Sequence, residues 1–132
     1  MPDFMASADY IVVSLPQLPS TTGIVNAQAI GAMRPHGIIV NVGRGPVIDE
    51  AALFAALKSH RIGGAIIDTW WVYPSADKPA PWPGTLPFHE LENCVLTSHM
   101  SGWTSGTIRR RQETMADNIR RLAAGQPLQN VV

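Results

Sequence analysis

Three side chains in this 132-residue sequence sit in settings that could support chemistry. Arg44 lies between Gly43 and Gly45, just past an apolar run. A guanidinium fork can hold a carboxylate through two parallel N–H···O bonds and stays charged at any working pH. Taken alone, the same pattern reads equally well as an exposed arginine in a glycine turn. His99 follows the run Val95–Ser98. Imidazole titrates near neutrality and can take and return a proton, or it can simply hydrogen-bond within a loop. Asp68 closes a third apolar run, where a carboxylate is costly unless it finds a partner. His36, His60 and His89 have no such context and are assigned to the surface or to loops. With the single Cys94 they offer no metal-binding pattern, and one cysteine excludes an internal disulfide.

The elements that must position these groups are legible as runs and stripes. Tyr10–Leu15, Ile38–Val42, Gly64–Thr69 and Val95–Ser98 are rich in β-branched and aliphatic residues without clean alternation. Such continuous runs predict parallel strands buried on both faces. Asn26 can cap a helix carrying Ala29, Ile30 and Met33, which Pro35 and Gly37 then stop. Asp49 can cap a second helix whose stripe is Ala52, Leu53, Ala56 and Leu57. A third helix is predicted from about Ser105 to Ala124, with Ile108, Met115, Ile119 and Leu122 facing inward and Gly125 ending it. Strands alternating with helices predict an α/β fold with an open parallel sheet of four strands. The segment Tyr73–Glu92 carries five prolines and no periodicity. Trp82, Leu86, Phe88 and Leu91 are expected to anchor it as an ordered loop.

Composition narrows the classes of function. The chain is 45% hydrophobic and 15% charged, as suits one globular domain. Ten basic residues balance ten acidic ones, which gives no support for nucleic-acid binding. Basic residues gather at Lys58–Arg61 and Arg109–Arg121; the second group is the better candidate for a basic surface, but a solvated helix face explains it better. No basic segment followed by an apolar core opens the sequence, and no apolar stretch approaches the roughly 18 residues that span a bilayer. A cytoplasmic location with no membrane partner is the expectation.

One ordered set of motifs is more specific than any of these signals. Asn41-Val42-Gly43-Arg44-Gly45-Pro46-Val47-Ile48-Asp49 resembles the signature of the NAD-dependent D-2-hydroxyacid and formate dehydrogenase family. Leu53, Ala56-Leu57 and the strand Gly63–Asp68 follow as in that family. Ala8–Pro16, with Thr21 and Gly23, resembles its strand ending in proline. Val95–Gly102 resembles its histidine element, and Gly125–Val132 its C-terminal ending. The Pro81-Trp82 region and His99-Met100-Ser101-Gly102 lean toward the formate dehydrogenase branch. The resemblance implies a partial Rossmann-like sheet with NAD as cofactor, NADP not excluded. It implies a small carboxylate substrate for the parent enzyme. It gives Arg44 the role of carboxylate anchor, His99 that of acid/base, and Asp68 that of acceptor for the nicotinamide carboxamide. Pro16, Thr21, Val42, Ser101 and Gly102 are implied to line the cofactor.

The same comparison shows departures. No G-x-G-x-x-G phosphate turn occurs anywhere in the sequence, nor the ribose-binding acid that follows it by about 20 residues. Residues 1–132 therefore correspond to the C-terminal part of a dinucleotide-binding domain, with the first βαβ half and the catalytic domain absent. The chain alone is expected to be inactive as an oxidoreductase, the alternative being an inert self-associating or partner-binding module. The Tyr10–Leu15 strand is then expected to expose an apolar edge and to favour a homo-oligomer. Tyr73 stands where hydroxyacid members carry a glutamate and formate dehydrogenases a glutamine. A phenol can hydrogen-bond to His99 but brings no negative charge to it.

Overall fold

The four apolar runs become four strands of one parallel sheet, and the order of strands in space is their order in sequence. The computed structural model describes residues 1–131; Val132, the last residue of the C-terminal motif, lies outside the described residues. The chain forms two compact units, Met1–His99 and Met100–Val132.

In the first unit, β1 (Tyr10–Val13) pairs with β2 (Ile38–Asn41), β2 with β3 (Gly64–Ile67), and β3 with β4 (Cys94–Leu96). Each strand is shorter than its apolar run, because the last residues of each run leave the ladder to build the loops at the carboxyl rim. Two helices join the strands, α2 (Ala27–Gly31) and α3 (Glu50–Lys58). The Asn26 side chain accepts from Ala29 N–H and that of Asp49 from Ala52 N–H, so both predicted caps satisfy an orphan donor. A five-residue helix α1 (Pro2–Ala6) precedes β1 and was not anticipated. Its Met5 enters the core, and Arg34 ties its end down by bonding Ala6 O and Asp9. Hydrogen bonds from Arg34 and His36 hold the Asp9 carboxyl below its ordinary value.

Among the described residues of this unit, the core lies on one side of the sheet. Ile11, Val13, Ile39, Ala65 and Ile67 pack with Ile30, Leu53, Leu57 and Phe88 in a single cluster. The register puts Tyr10 and Val12 on the opposite face with Ile66 and Val95. There Tyr10 is 70% exposed, Val12 60% and Val95 58%. The expectation of strands buried on both faces is thus corrected. Apolar content shows that a strand can be covered, not that the described residues supply the cover.

The proline-rich segment is ordered, as expected, with one correction to its anchors. Phe88 is buried, stacked on Trp71 and edge-on to Phe54, each with ring centroids 5.3 Å apart. Glu50 at the start of α3 accepts from Thr85 N–H, Thr85 Oγ1 and Leu86 N–H. Trp82, in contrast, stays exposed and lies edge-on to the His89 ring, 4.8 Å away between centroids.

The second unit is built on α4 (Ser105–Ala123), capped by Thr104, whose Oγ1 accepts from Thr107 N–H. No residue of α4 is buried, so the inward placement of Ile108, Met115, Ile119 and Leu122 is corrected. Their spacing does form one apolar stripe, but a stripe records which face is apolar and not what packs against it.

Candidate active site at the carboxyl rim

Because all four strands are parallel, the segments that follow them emerge on one rim of the sheet. The loop after β1 carries Pro16 and Thr21, that after β2 Val42 and Arg44, that after β3 Asp68, and that after β4 His99. This is the edge at which open α/β sheets bind ligands.

The Arg44 turn is shaped by close backbone packing. A Cβ on Gly43 would stand 2.6 Å from Leu15 O, and one on Gly45 2.3 Å from the Trp70 carbonyl. Neither space admits a side chain, so the turn presses against the loops after β1 and β3. The buried Asn41 side chain holds it from below, accepting from Gly43 N–H and donating to Arg44 O. Arg44 itself is exposed and donates one guanidinium N–H to Gly43 O at 2.8 Å. It borders an open cleft of about 780 Å³ with Pro16, Gln17, Leu18, Thr22 and Val42. Thr21 does not line this cleft. Its hydroxyl donates to Pro16 O at 2.6 Å and accepts from Leu18 N–H at 2.8 Å, and so builds the loop that does.

Asp68 is 2% exposed, and its Oδ1 accepts from Thr97 Oγ1 at 2.5 Å. Its backbone N–H continues the ladder to Asn41 O. His99 is exposed, with a backbone φ of +58°. Such a value is uncommon outside glycine and marks a position held by its surroundings. The Tyr73 hydroxyl lies 3.0 Å from His99 Nδ1 and accepts from Trp70 N–H at the same distance. The Trp70 indole donates to Thr97 O, two residues before His99. Glu90 and Glu92 precede β4, at the amino rim, and neither can take the place of a carboxylate beside His99.

Three residues that shape this rim were not singled out from sequence as site residues. Asn41 and Thr97 act through hydrogen bonds to atoms that only the fold brings near. Trp70 acts through its backbone as much as through its ring. Their signal was adjacency to candidates already chosen. Ser101 and Gly102 belong to the second unit, where Gly102 borders a groove with Trp103, Thr107, Ile108, Arg111 and Met115. Among the described residues no group of three His, Cys, Asp or Glu stands together to hold a metal ion, and no helix is long and apolar enough to cross a membrane.

A parallel α/β sheet with its polar side chains gathered beyond the strand ends is a Rossmann-like arrangement. Residues 1–101 match the D-isomer specific 2-hydroxyacid dehydrogenase, NAD binding domain. The chain belongs to that family. It is 32% identical over 126 residues to hydroxyphenylpyruvate reductase of Plectranthus scutellarioides, covering 96% of this chain and 38% of that protein. It is 33% identical over 124 residues to D-3-phosphoglycerate dehydrogenase of Mycobacterium leprae (strain TN), covering 94% of this chain and 22% of that protein. Among solved structures, D-lactate dehydrogenase with NAD+ from Lactobacillus jensenii superposes with a TM-score of 0.85 at 26% identity, over 99% of this chain and 41% of that one. A D-isomer specific 2-hydroxyacid dehydrogenase from Xanthobacter autotrophicus Py2, in complex with NADPH and MES, gives 0.77 at 36% identity, over 99% and 50%. The chain thus spans well under half the length of these two curated relatives.

Proposed function

We propose that this chain supplies the nicotinamide-side half of an NAD(P)-dependent oxidoreductase site for a small 2-hydroxy acid or formate-like carboxylate. We propose also that by itself it does not turn over substrate. The observation that carries the reading is the Arg44 turn. Gly43 and Gly45 wedge it between two neighbouring loops, so that a guanidinium stands at the mouth of an open cleft on the carboxyl rim. There Arg44 anchors the substrate carboxylate, for which its fork is suited. Pro16 and Val42 give the cofactor ring an apolar border, Thr21 holds the loop in shape, and the Asp68 carboxylate orients the carboxamide. His99 donates a hydrogen bond to the reacting oxygen and polarises it. The cofactor, when bound, supplies the hydride acceptor or donor. The cradle fits only this end of a dinucleotide, since the sequence holds no G-x-G-x-x-G for the pyrophosphate. Residues 1–132 are on this reading the C-terminal part of the binding domain, working in the cytoplasm, where a lone free thiol is at home.

Calorimetric titration with NAD and NADH tests the cofactor half-site. Binding is expected to weaken about 10- to 100-fold in Asp68→Asn, as for loss of a charge-assisted hydrogen bond. Arg44→Ala should leave dinucleotide binding nearly unchanged and abolish the further binding of a 2-oxo acid. Absence of any heat with either dinucleotide would remove this reading. A second reading, a self-associating module without catalysis, is favoured by the open apolar face of the sheet.

A further inference from the structure

Tyr73 and His99 are 26 positions apart, and nothing in the family resemblance prescribes a phenol beside the histidine. Their geometry carries information about the proton on the ring. The Tyr73 oxygen already accepts from Trp70 N–H at 3.0 Å. That donor is a backbone amide, so its direction is fixed. The hydroxyl hydrogen must then go elsewhere, and His99 Nδ1 lies 3.0 Å away. A phenol is the better donor and an unprotonated imidazole nitrogen the better acceptor of the two, so O–H···Nδ1 is the favourable sense. In the reverse sense Nδ1–H would donate to an oxygen already engaged by an amide, and the phenol hydrogen would turn to solvent. Among the described residues, Tyr73 is the side chain hydrogen-bonded to His99, while Glu90 and Glu92 lie beyond the opposite end of β4 and Asp68 Oδ1 accepts from Thr97.

We infer that Tyr73 is a positioning residue that fixes neutral His99 in its Nε2–H tautomer. Trp70 is the joint that makes this possible. Its N–H sets the Tyr73 hydroxyl, and its indole fixes Thr97 O at 2.9 Å, so the two chain segments bearing the pair are held together. His99 has a left-handed backbone, with φ of +58°, and its ring lies tilted 55° to the Tyr73 ring at a centroid distance of 5.6 Å. The consequence, which rests on the dehydrogenase reading, concerns the ligand. The free ring nitrogen presents a hydrogen-bond donor, so it meets an acceptor oxygen such as a carbonyl or carboxylate. In this tautomer Nε2 cannot take a proton from a substrate hydroxyl. The site is therefore set for a bound oxo acid or carboxylate in place of a bound alcohol.

The test needs no cofactor. Nitrogen-15 NMR of the full chain, at a pH where the histidines are neutral, reads the ratio of the two tautomers, with His99→Gln identifying the ring. The wild type is expected to show His99 with an unprotonated Nδ1. Tyr73→Phe, which keeps the aromatic ring, is expected to lower the Nε2–H to Nδ1–H ratio about fivefold, the effect of one ordinary hydrogen bond. A wild-type His99 protonated at Nδ1, or a ratio unmoved in Tyr73→Phe, would overturn the assignment. Neither outcome depends on whether a dinucleotide binds, so failure here is separable from failure of the proposed function.

Discussion

Cys94 shows how a single residue's environment is converted into a measurable rate. Burial without a charged partner disfavours the thiolate and pushes the thiol from 9.0 up to about 11. At pH 8 both values lie above the solution, so the thiolate fraction falls by about a hundredfold relative to a free thiol. Alkylation by iodoacetamide should be slower by about that factor in the folded chain than in urea, and the gap should close as pH approaches 11. Equal rates at pH 8 would mean that the thiol is not desolvated. The linkage has a definite sign. Above pH 9.0 the unfolded chain loses its proton first, so stability is unaffected below that pH and declines up to about 11. At this scale the sequence exposes some of the site and hides the rest. Arg44, Asp68 and His99 stand out because a charged or titratable group interrupts or ends an apolar run. Asn41 and Thr97 do not, since their value lies in partners named only by the fold, Gly43 and Arg44 for one and Asp68 for the other. Tyr73 was visible only as a departure from a pattern.

At the scale of elements, position within the sheet decides which small residues are replaceable. Gly45→Ala places a methyl 2.3 Å from the Trp70 carbonyl, a backbone atom that cannot swing away. The expected cost is roughly 1–3 kcal/mol, read as a lower urea midpoint at unchanged slope, as for overpacking elsewhere. The same change at Gly31, at the end of α2, meets nothing within 4 Å and has no positive φ to strain. There alanine should be neutral or should stabilise by up to about 1 kcal/mol. If both variants unfold alike, the Arg44 turn is not braced in the way described. The strands and the two capped helices were readable because their signals are local, namely run length, an Asn or Asp cap, and a terminating glycine. Strand ends came out shorter because leaving the ladder is a tertiary event. Helix α1 was missed because five residues, with proline near their start, carry too little periodicity to register. The role of α4 was misread for the opposite reason. Its stripe is strong, but Ile119 and Leu122 are each 69% exposed.

At the largest scale, the apolar face of the sheet in the unit Met1–His99 is the dominant physical fact. Tyr10 and Val12 lie on β1, the edge strand, and backbone N–H and C=O groups alternate in direction along a parallel strand. Ile38 N–H bonds Asp9 O and Val42 N–H bonds Val13 O, so the groups of Tyr10 and Val12 point to the free edge. An apolar face and an unpaired edge on one strand form a template for a second copy, because pairing would satisfy the backbone and cover the side chains together. The chain is accordingly expected to self-associate in sedimentation velocity, with the weight-average coefficient rising across the micromolar range. Apolar burial drives this association, so 0.5 M salt should leave it intact, whereas a charge-driven contact would weaken. Val12→Lys puts a charge in the middle of the face and should shift the distribution to monomer. Ile119→Lys, on α4, should not. A wild type that stays monomeric at every concentration would sink the self-association reading. Dissociation by Ile119→Lys and not by Val12→Lys would transfer the contact from the sheet to the helix.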